Sequence, residues 1–363
     1  MEKVLIVESS YQESFLALIR LGIGHSIIDL PKDIDWKAVQ HLAVQQGLTA
    51  IVIDGIEKLP YSLRPPKEVL LEWIGQVLHE YENRYELYRR TIAEMAGFYN
   101  SHGLKMMVLK GYVCSLDWPK PEHRPAGDID IWQFGEYKKA DALITKEKGI
   151  KVNSNEHHHT VFYWRGFMVE NHYDFINVHH HRSNAQIEKI LKSLSDDDSH
   201  FVYLLGEKVY IPSPNLHALF LLRHAIIEFA ACGLNFRQVL DWALFVKKHG
   251  DKIDWEWLLT VLDRFHMRDF YNTINAICVE DLGFDSNDYP YIQYSPSIKD
   301  KVLYDLFIPV FDGGKPTKLL PRIIWKVRRW KANKWKHKLC YNESMWSAFW
   351  SGVWSHMLKP SSI

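Results

Sequence analysis

The feature that most constrains this chain is a short alternation of acidic and apolar residues after a glycine, Gly127-Asp128-Ile129-Asp130-Ile131. Successive side chains of a β-strand point to opposite faces, so Asp128 and Asp130 are predicted to share one face. Two carboxylates held this close repel each other unless a proton or a cation intervenes, and Mg²⁺ is the usual cation where phosphates are handled. The pattern predicts a metal site for phosphoryl or nucleotidyl transfer, whereas the alternative is a chance Asp-x-Asp in a turn or at a solvated edge.

A third carboxylate is needed for a two-metal site, because two acids cannot hold two cations and leave positions for substrate oxygens. Glu170 is the first candidate because it ends a segment of strand character, and Asp174 is the second. Upstream of the acids, Lys110 precedes Gly111 in a turn, and Arg124 lies in a proline-rich loop. Both cations suit phosphate oxygens, Arg124 through its bidentate fork. The alternative for each is a surface salt bridge.

The coarse order of predicted elements is helical, then mixed, then helical again. Buried strands are predicted at 105–109 and 128–132, a helix at 136–148 and a hairpin around residues 165–166. Ser213 followed by Pro214 predicts the start of the next helix. We therefore predict an α+β fold, a small mixed sheet flanked by helices. Four regions are expected: 1–102, N-terminal helical; 103–212, α/β core; 213–312, helical domain; 313–363, basic and rich in tryptophan.

The composition is that of a soluble globular protein, with 47% hydrophobic and 24% charged residues in 363. The four cysteines are widely spaced and form no CxxC pair, which argues against a disulfide framework or a structural zinc site. No apolar run approaches the length of a membrane span. A cytoplasmic location is the expectation.

Histidine runs occur at 157–159 and 179–181, with His172 between them. Such runs can bind transition metals, but consecutive residues of a strand alternate faces, so three in a row could not serve one site. Zinc is therefore not predicted at either run.

A basic segment covers 315–338, with ten Lys or Arg residues and no Asp or Glu. Its interleaved Trp325, Trp330 and Trp335 suit single-stranded nucleic acid or an anionic membrane surface. The alternative, which we favour, is a helix whose rings pack on an acidic body. The spacing of Trp346, Trp350 and Trp354 predicts a further packing stripe.

Several of these motifs together resemble the uncharacterised nucleotidyltransferase family of bacteria, a branch of the polymerase-β-like nucleotidyltransferase superfamily. The resemblance covers about 105–174 and rests on Leu109-Lys110-Gly111, Arg124, Gly127-Asp128-Ile129-Asp130 and Val169-Glu170-x-His172. It implies that the acids bind Mg²⁺ and a nucleoside triphosphate such as ATP, and that Lys110, Gly111 and Arg124 contact the nucleotide. It also implies that His172 and His158 face the substrate, with a core or surface role as the alternative. Lys110-Gly111-Tyr112 departs from the Gly-Ser or Gly-Gly that much of the superfamily has at this turn.

The resulting functional prediction is a nucleotidyltransferase that uses two metal ions. It would move a nucleoside monophosphate from a triphosphate to a hydroxyl of a protein, an RNA end, a sugar or an antibiotic, with nucleic acid not favoured. The alternative is a catalytically silent protein that keeps the fold and binds a nucleotide or a partner.

Overall fold

The computed structural model describes residues 10–25, 30–31, 33–179, 181–290, 292–308 and 316–343. The strands in this part of the chain are β1 (Met107–Val108), β2 (Ile129–Trp132), β3 (His159–Trp164), β4 (Phe167–His172), β5 (Phe201–Leu204) and β6 (Glu207–Tyr210). The helices are α1 (Ser10–Gly22), α2 (Trp36–Gln46), α3 (Thr49–Glu57), α4 (Lys67–Gln76), α5 (Asn83–Ser101), α6 (Gly111–Ser115), α7 (Tyr137–Lys148), α8 (Arg182–Ser195), α9 (Pro214–Ala231), α10 (Phe236–His249), α11 (Trp255–Arg264), α12 (Arg268–Glu280), α13 (Pro296–Phe307), α14 (Leu319–Ala332) and α15 (Lys334–Cys340).

The six strands form one mixed sheet in the order β3-β4-β2-β1-β6-β5. β2 runs parallel to β4 and antiparallel to β1, while β1 runs parallel to β6. The predicted α+β class, with a small mixed sheet between helical flanks, is confirmed.

β2 and β4 are the strands that position the candidate site. All four residues of β2 are buried, and Ile129 and Ile131 are fully so, which anchors the acid-apolar alternation in the core. The parallel register pairs Asp130 with Glu170. β4 reaches this register through the β3–β4 hairpin, whose turn residues Arg165 and Gly166 have φ values of 48° and 83°. Such left-handed turns match the twist of a hairpin.

The predicted strand at 105–109 is only two residues long in β1. Its pairing continues on both sides, because the amide of Tyr210 donates to the carbonyl of Met106 and that of Leu109 to the carbonyl of Asp130. The strand ends at Lys110, whose φ of 40° turns the chain into α6.

Two apolar clusters build the interior. One surrounds the sheet together with α5 and α7. The other joins the N-terminal helices to the C-terminal ones: the ring of Phe15 lies 5.8 Å from that of Phe236 and 6.4 Å from that of Phe307. The first helices therefore share a core with α10 and α13, which are distant in sequence.

The basic segment behaves differently in its two helices. In α15, Trp335 packs 5.6 Å from the ring of Phe229, and the buried Lys336 pairs with Asp305 at 2.6 Å. In α14, none of the residues whose exposure is described is buried, and Ile324 is exposed. The packing that we favoured is thus seen for Trp335 in α15, whereas the described residues of α14 are exposed or half-buried. The predicted stripe of Trp346, Trp350 and Trp354 falls outside the described residues.

Among the described helices, none combines the length and the apolar character that a membrane-spanning helix needs.

Candidate active site

A pocket of about 400 Å³ lies between the site strands and the helices α9 and α10. Every residue that the sequence nominated, apart from the reserve candidate Asp174, lines it. They are Lys110, Gly111, Arg124, Asp128, Asp130, His158, Glu170 and His172. The opposite wall adds residues from α9 and α10, chiefly His224, Glu228, Arg237, Gln238 and Asp241.

Three carboxylates converge on this pocket. Asp130 and Glu170 occupy paired positions on adjacent parallel strands. One carboxylate oxygen of each and one ring nitrogen of His172 all lie within 4.8 Å of one another. Asp128 stands one residue before β2 and keeps contact with solvent. Loss of hydration, followed by the charge of Asp130, raises the pKa of Asp128. The pocket thus concentrates negative charge beside β2 and β4.

The negative charge of Asp130 is offset by two neighbouring cationic side chains. Its Oδ1 accepts from Nζ of Lys110 at 3.1 Å and from Nε2 of His172 at 3.0 Å. Burial opposes ionisation, but these two cations hold the pKa of the Asp130 carboxyl far below its usual range. In turn, although burial favours the neutral ring, the hydrogen bonds with Asp130 and Glu170 raise the pKa of His172 to about 9. His172 is therefore protonated at neutral pH.

Lys110 owes its position to an uncommon backbone conformation. Its φ of 40° and ψ of −118° fall where residues other than glycine are rarely found, and such strain persists only where the surrounding structure enforces it. From there the ammonium group also donates to Nε2 of His224, at 3.1 Å. Burial, followed by the positive charge of Lys110, lowers the pKa of His224. His224 is therefore a neutral acceptor across the pocket.

Gly111 is required by a close approach. A Cβ atom at this position would lie 2.5 Å from the hydroxyl of Tyr88 and 3.5 Å from the carbonyl oxygen of Asp128. That hydroxyl donates to the same carbonyl at 2.9 Å. The glycine lets the turn pack against the hydrogen bond that holds the backbone of Asp128.

Two arginines line the pocket, and they differ in whether a carboxylate pairs with them. Arg124 is buried and donates from Nε and Nη2 to the two oxygens of Asp241, at 2.8 and 2.9 Å. Arg237 lies one helical turn before Asp241 on α10, and within the described part of the chain it makes no hydrogen bond or ion pair. Burial and the neighbouring Arg124 lower the pKa of Arg237. Arg237 therefore offers the pocket a guanidinium group that is not yet paired.

The histidines of the first run do not alternate as we expected. His158 lies in a bend before β3, and only His159 belongs to the strand. Their ring nitrogens and that of His172 all lie within 4.8 Å of one another, so two consecutive residues do face one site. The alternation rule failed because it holds only inside a strand. Burial lowers the pKa of His158 to about 2 and that of His159 to about 4.

Asp174 is not part of the carboxylate group. Its side chain forms an ion pair with Lys192 of α8, and its contact with the site is through its backbone carbonyl, which accepts from Nδ1 of His172 at 3.1 Å.

The comparisons with known proteins identify the family. A family model described as an uncharacterised nucleotidyltransferase matches residues 32–283, well over half of the chain. The chain belongs to this nucleotidyltransferase family. A crystal structure of an antigenic nucleotidyltransferase-like protein from Paracoccidioides brasiliensis is similar to it at 13% sequence identity and a TM-score of 0.36, over 56% of this chain and 96% of that one. No curated protein matches the chain.

Sequence reasoning missed the pocket residues that α9 and α10 contribute. His224 is 114 positions from Lys110, and Asp241 is 117 positions from Arg124. No local spacing relates either residue to the acids near β2, so the sequence pattern did not mark them. His159 was missed because side chains were assumed to alternate through the whole histidine run. The only sequence feature that pointed to it was His172, its neighbour in space.

Proposed function

We propose that this protein transfers a nucleoside monophosphate from a nucleoside triphosphate to a hydroxyl group, using Asp128, Asp130 and Glu170 as its catalytic carboxylates. The observation that carries the proposal is the pairing of Asp130 with Glu170 on adjacent parallel strands at the pocket. Asp128, one residue before β2, adds a third carboxylate. Membership of the nucleotidyltransferase family supports the reaction class.

The donor set fits Mg²⁺, which prefers carboxylate oxygens and retains several waters. Asp128 is open to solvent at one side; loss of hydration, followed by the negative charge of Asp130, raises its pKa, and a cation would relieve that repulsion. When bound by these carboxylates, Mg²⁺ would stabilise charge on the phosphates and lower the pKa of the acceptor hydroxyl.

The protein's own groups would hold and orient the triphosphate. Lys110 and Arg237 present an ammonium and a guanidinium group to the pocket, and both suit phosphate oxygens. Arg124 is engaged by Asp241, so its contribution would be to fix α10 and with it Arg237, one turn away. His172 would orient Asp130 through their 3.0 Å hydrogen bond.

The dimensions of the pocket agree with a small-molecule substrate. Ligand sites commonly measure about 300–1,000 Å³, and this one has about 400 Å³. Apolar side chains of the wall, including Leu222, Leu234 and Phe270, offer surface for a base or a sugar.

A silent binding protein is the second candidate function, and one observation favours it. Lys110 and His172 already neutralise Asp130 without a metal ion. A site balanced in this way can bind a nucleotide through its cations and perform no chemistry.

The experiment is to incubate the untagged protein with each of the four α-labelled ribonucleoside triphosphates, cell extract, and Mg²⁺ or Mn²⁺. A labelled product that forms with the wild type and not with Glu170→Gln supports transfer. Nucleotide-dependent thermal stabilisation without any labelled product supports the silent protein instead.

A further inference from the structure

Three imidazoles form a compact group at the start of β3 and the end of β4, and the carboxylate of Glu170 approaches two of them. Ring centroids lie 4.4 Å apart for His158 and His159, 5.2 Å for His159 and His172, and 5.5 Å for His158 and His172. One nitrogen of each ring falls within 4.8 Å of those of the other two. Three imidazole nitrogens that converge in this way are the ligand set of many transition-metal sites.

Buried polar atoms without partners are the second observation. Within the described part of the chain, Nδ1 of His158 and Nδ1 of His159 are buried and make no hydrogen bond. A buried polar atom without a partner is destabilising because its lost hydration is not replaced, and two at one place call for a common explanation. A bound cation would satisfy both.

The spacing of the donors around Glu170 fits tetrahedral coordination. Oε2 of Glu170 lies 3.6 Å from Nδ1 of His159 and 3.6 Å from Nε2 of His172. Ligands that bind Zn²⁺ at about 2.0–2.1 Å in a tetrahedron are about 3.3–3.4 Å apart. Each of these two nitrogens therefore lies close to the spacing that it would have from Glu170 if both bound one ion.

His172 also has the outer support that metal-binding histidines usually have. Its Nδ1 lies 3.1 Å from the backbone carbonyl of Asp174, which directs Nε2 towards Glu170 and Asp130. A hydrogen bond from the far ring nitrogen to a carbonyl fixes the tautomer and the ring orientation of a ligand.

We propose that His158, His159, His172 and Glu170 bind a divalent transition-metal ion of the zinc class in a site that Mg²⁺ does not occupy. Imidazole nitrogen is a favourable ligand for Zn²⁺, Co²⁺, Fe²⁺ and Cu²⁺, whereas Mg²⁺ selects oxygen and water. The site shares Glu170 with the proposed carboxylates. It also takes Nε2 of His172, which gives up its proton to solvent and its hydrogen bond to Asp130 when the ion binds. Metal selectivity is measured without nucleotide and is separate from transfer.

The test uses untagged, metal-stripped full-length protein and two probes, Zn²⁺ and Co²⁺, in the presence of excess Mg²⁺. We expect one equivalent of Co²⁺ with the visible absorption of a tetrahedral complex, displaced by Zn²⁺ and unaffected by Mg²⁺. His158→Ala and His159→Ala should weaken Zn²⁺ binding by at least about 100-fold, since loss of even an outer partner costs 10–100-fold. His157→Ala, in the same run but outside the group, is the matched control and should bind as the wild type does.

X-ray absorption at the zinc edge of the wild-type protein keeps the test independent of variant folding. Scattering from two or three imidazoles supports the site. An all-oxygen shell, displacement by Mg²⁺, or equal affinity in the folded His158→Ala and His157→Ala proteins would overturn it. If the protein binds Zn²⁺ but transfers no label, the proposed metal site stands and the proposed transfer function is wrong.

Discussion

The guanidinium group of Arg124 and the carboxylate of Asp241 are joined by two hydrogen bonds, of 2.8 and 2.9 Å, across 117 positions of sequence. The pair connects the loop before β2 to α10, so the strand that carries Asp130 and the helix that carries Arg237 are held at one pocket. Both side chains are buried. Trp118 adds a third donor to Asp241, at 2.9 Å.

Breaking this pair should be strongly destabilising. Asp241→Ala leaves the buried Arg124 without its partner, which costs about 3–5 kcal/mol of unfolding free energy. Urea denaturation of the wild type, Asp241→Ala and Arg124→Met/Asp241→Leu measures it. We expect the double variant to recover much of the loss because it leaves no unpaired charge. A loss below about 1 kcal/mol in Asp241→Ala would show that the pair does not hold the pocket walls together.

Gly111→Ala should disturb the backbone of Asp128 through Tyr88. The added Cβ would meet the Tyr88 hydroxyl at 2.5 Å, and overpacking of this kind costs about 1–3 kcal/mol. Thermal unfolding of Gly111→Ala, Tyr88→Phe and the double variant forms a cycle. Removing the Tyr88 hydroxyl should reduce the destabilisation that Gly111→Ala causes. The double variant should therefore lose less stability than the sum of the two single losses. Strictly additive losses would mean that the clash is relieved elsewhere.

Glu343 should make stability depend on pH in the acid range. Its carboxylate accepts from the backbone amides of Arg182 and Ser183, at 3.2 and 3.0 Å, at the start of α8. Burial opposes ionisation, but the contacts with His181 and these amides lower the pKa of Glu343 to about 2, from 4.5. Because the folded value is the lower one, the stabilisation is complete above about pH 4.5 and is lost as the pH falls towards 2.

The measurement compares the unfolding free energy of the wild type and Glu343→Gln across this range. Above pH 5 the difference should be roughly 1–2 kcal/mol, and it should shrink on acidification. Glu72→Gln, at an exposed position of α4, is the control and should show no such trend. A pH-independent difference would show that the charge of Glu343 is not what stabilises this helix start.

The parts of the site that follow local rules could be predicted from the sequence. Alternation predicted that Asp128 and Asp130 lie together at β2, and the turn at Arg165-Gly166 predicted the β3–β4 hairpin. The parallel pairing of Asp130 with Glu170 is non-local: the need for a third carboxylate nominated Glu170, but no local pattern gave its register with β2. His224, Arg237 and Asp241 reach the pocket through the packing of α9 and α10, which leaves no mark in local spacing. His159 escaped prediction because alternation was assumed to run through His158, which lies in a bend before β3.

The most direct test of the central claim is the transfer assay on carboxylate variants. With Mg²⁺ or Mn²⁺ and an α-labelled triphosphate, Asp128→Asn, Asp130→Asn and Glu170→Gln should each lose activity by orders of magnitude while circular dichroism stays unchanged. Asp174→Asn, whose carboxylate pairs with Lys192 outside the group, should retain most of it. If the Asp128→Asn/Asp130→Asn double variant transfers label at the wild-type rate, the carboxylates of this pocket are not the catalytic groups.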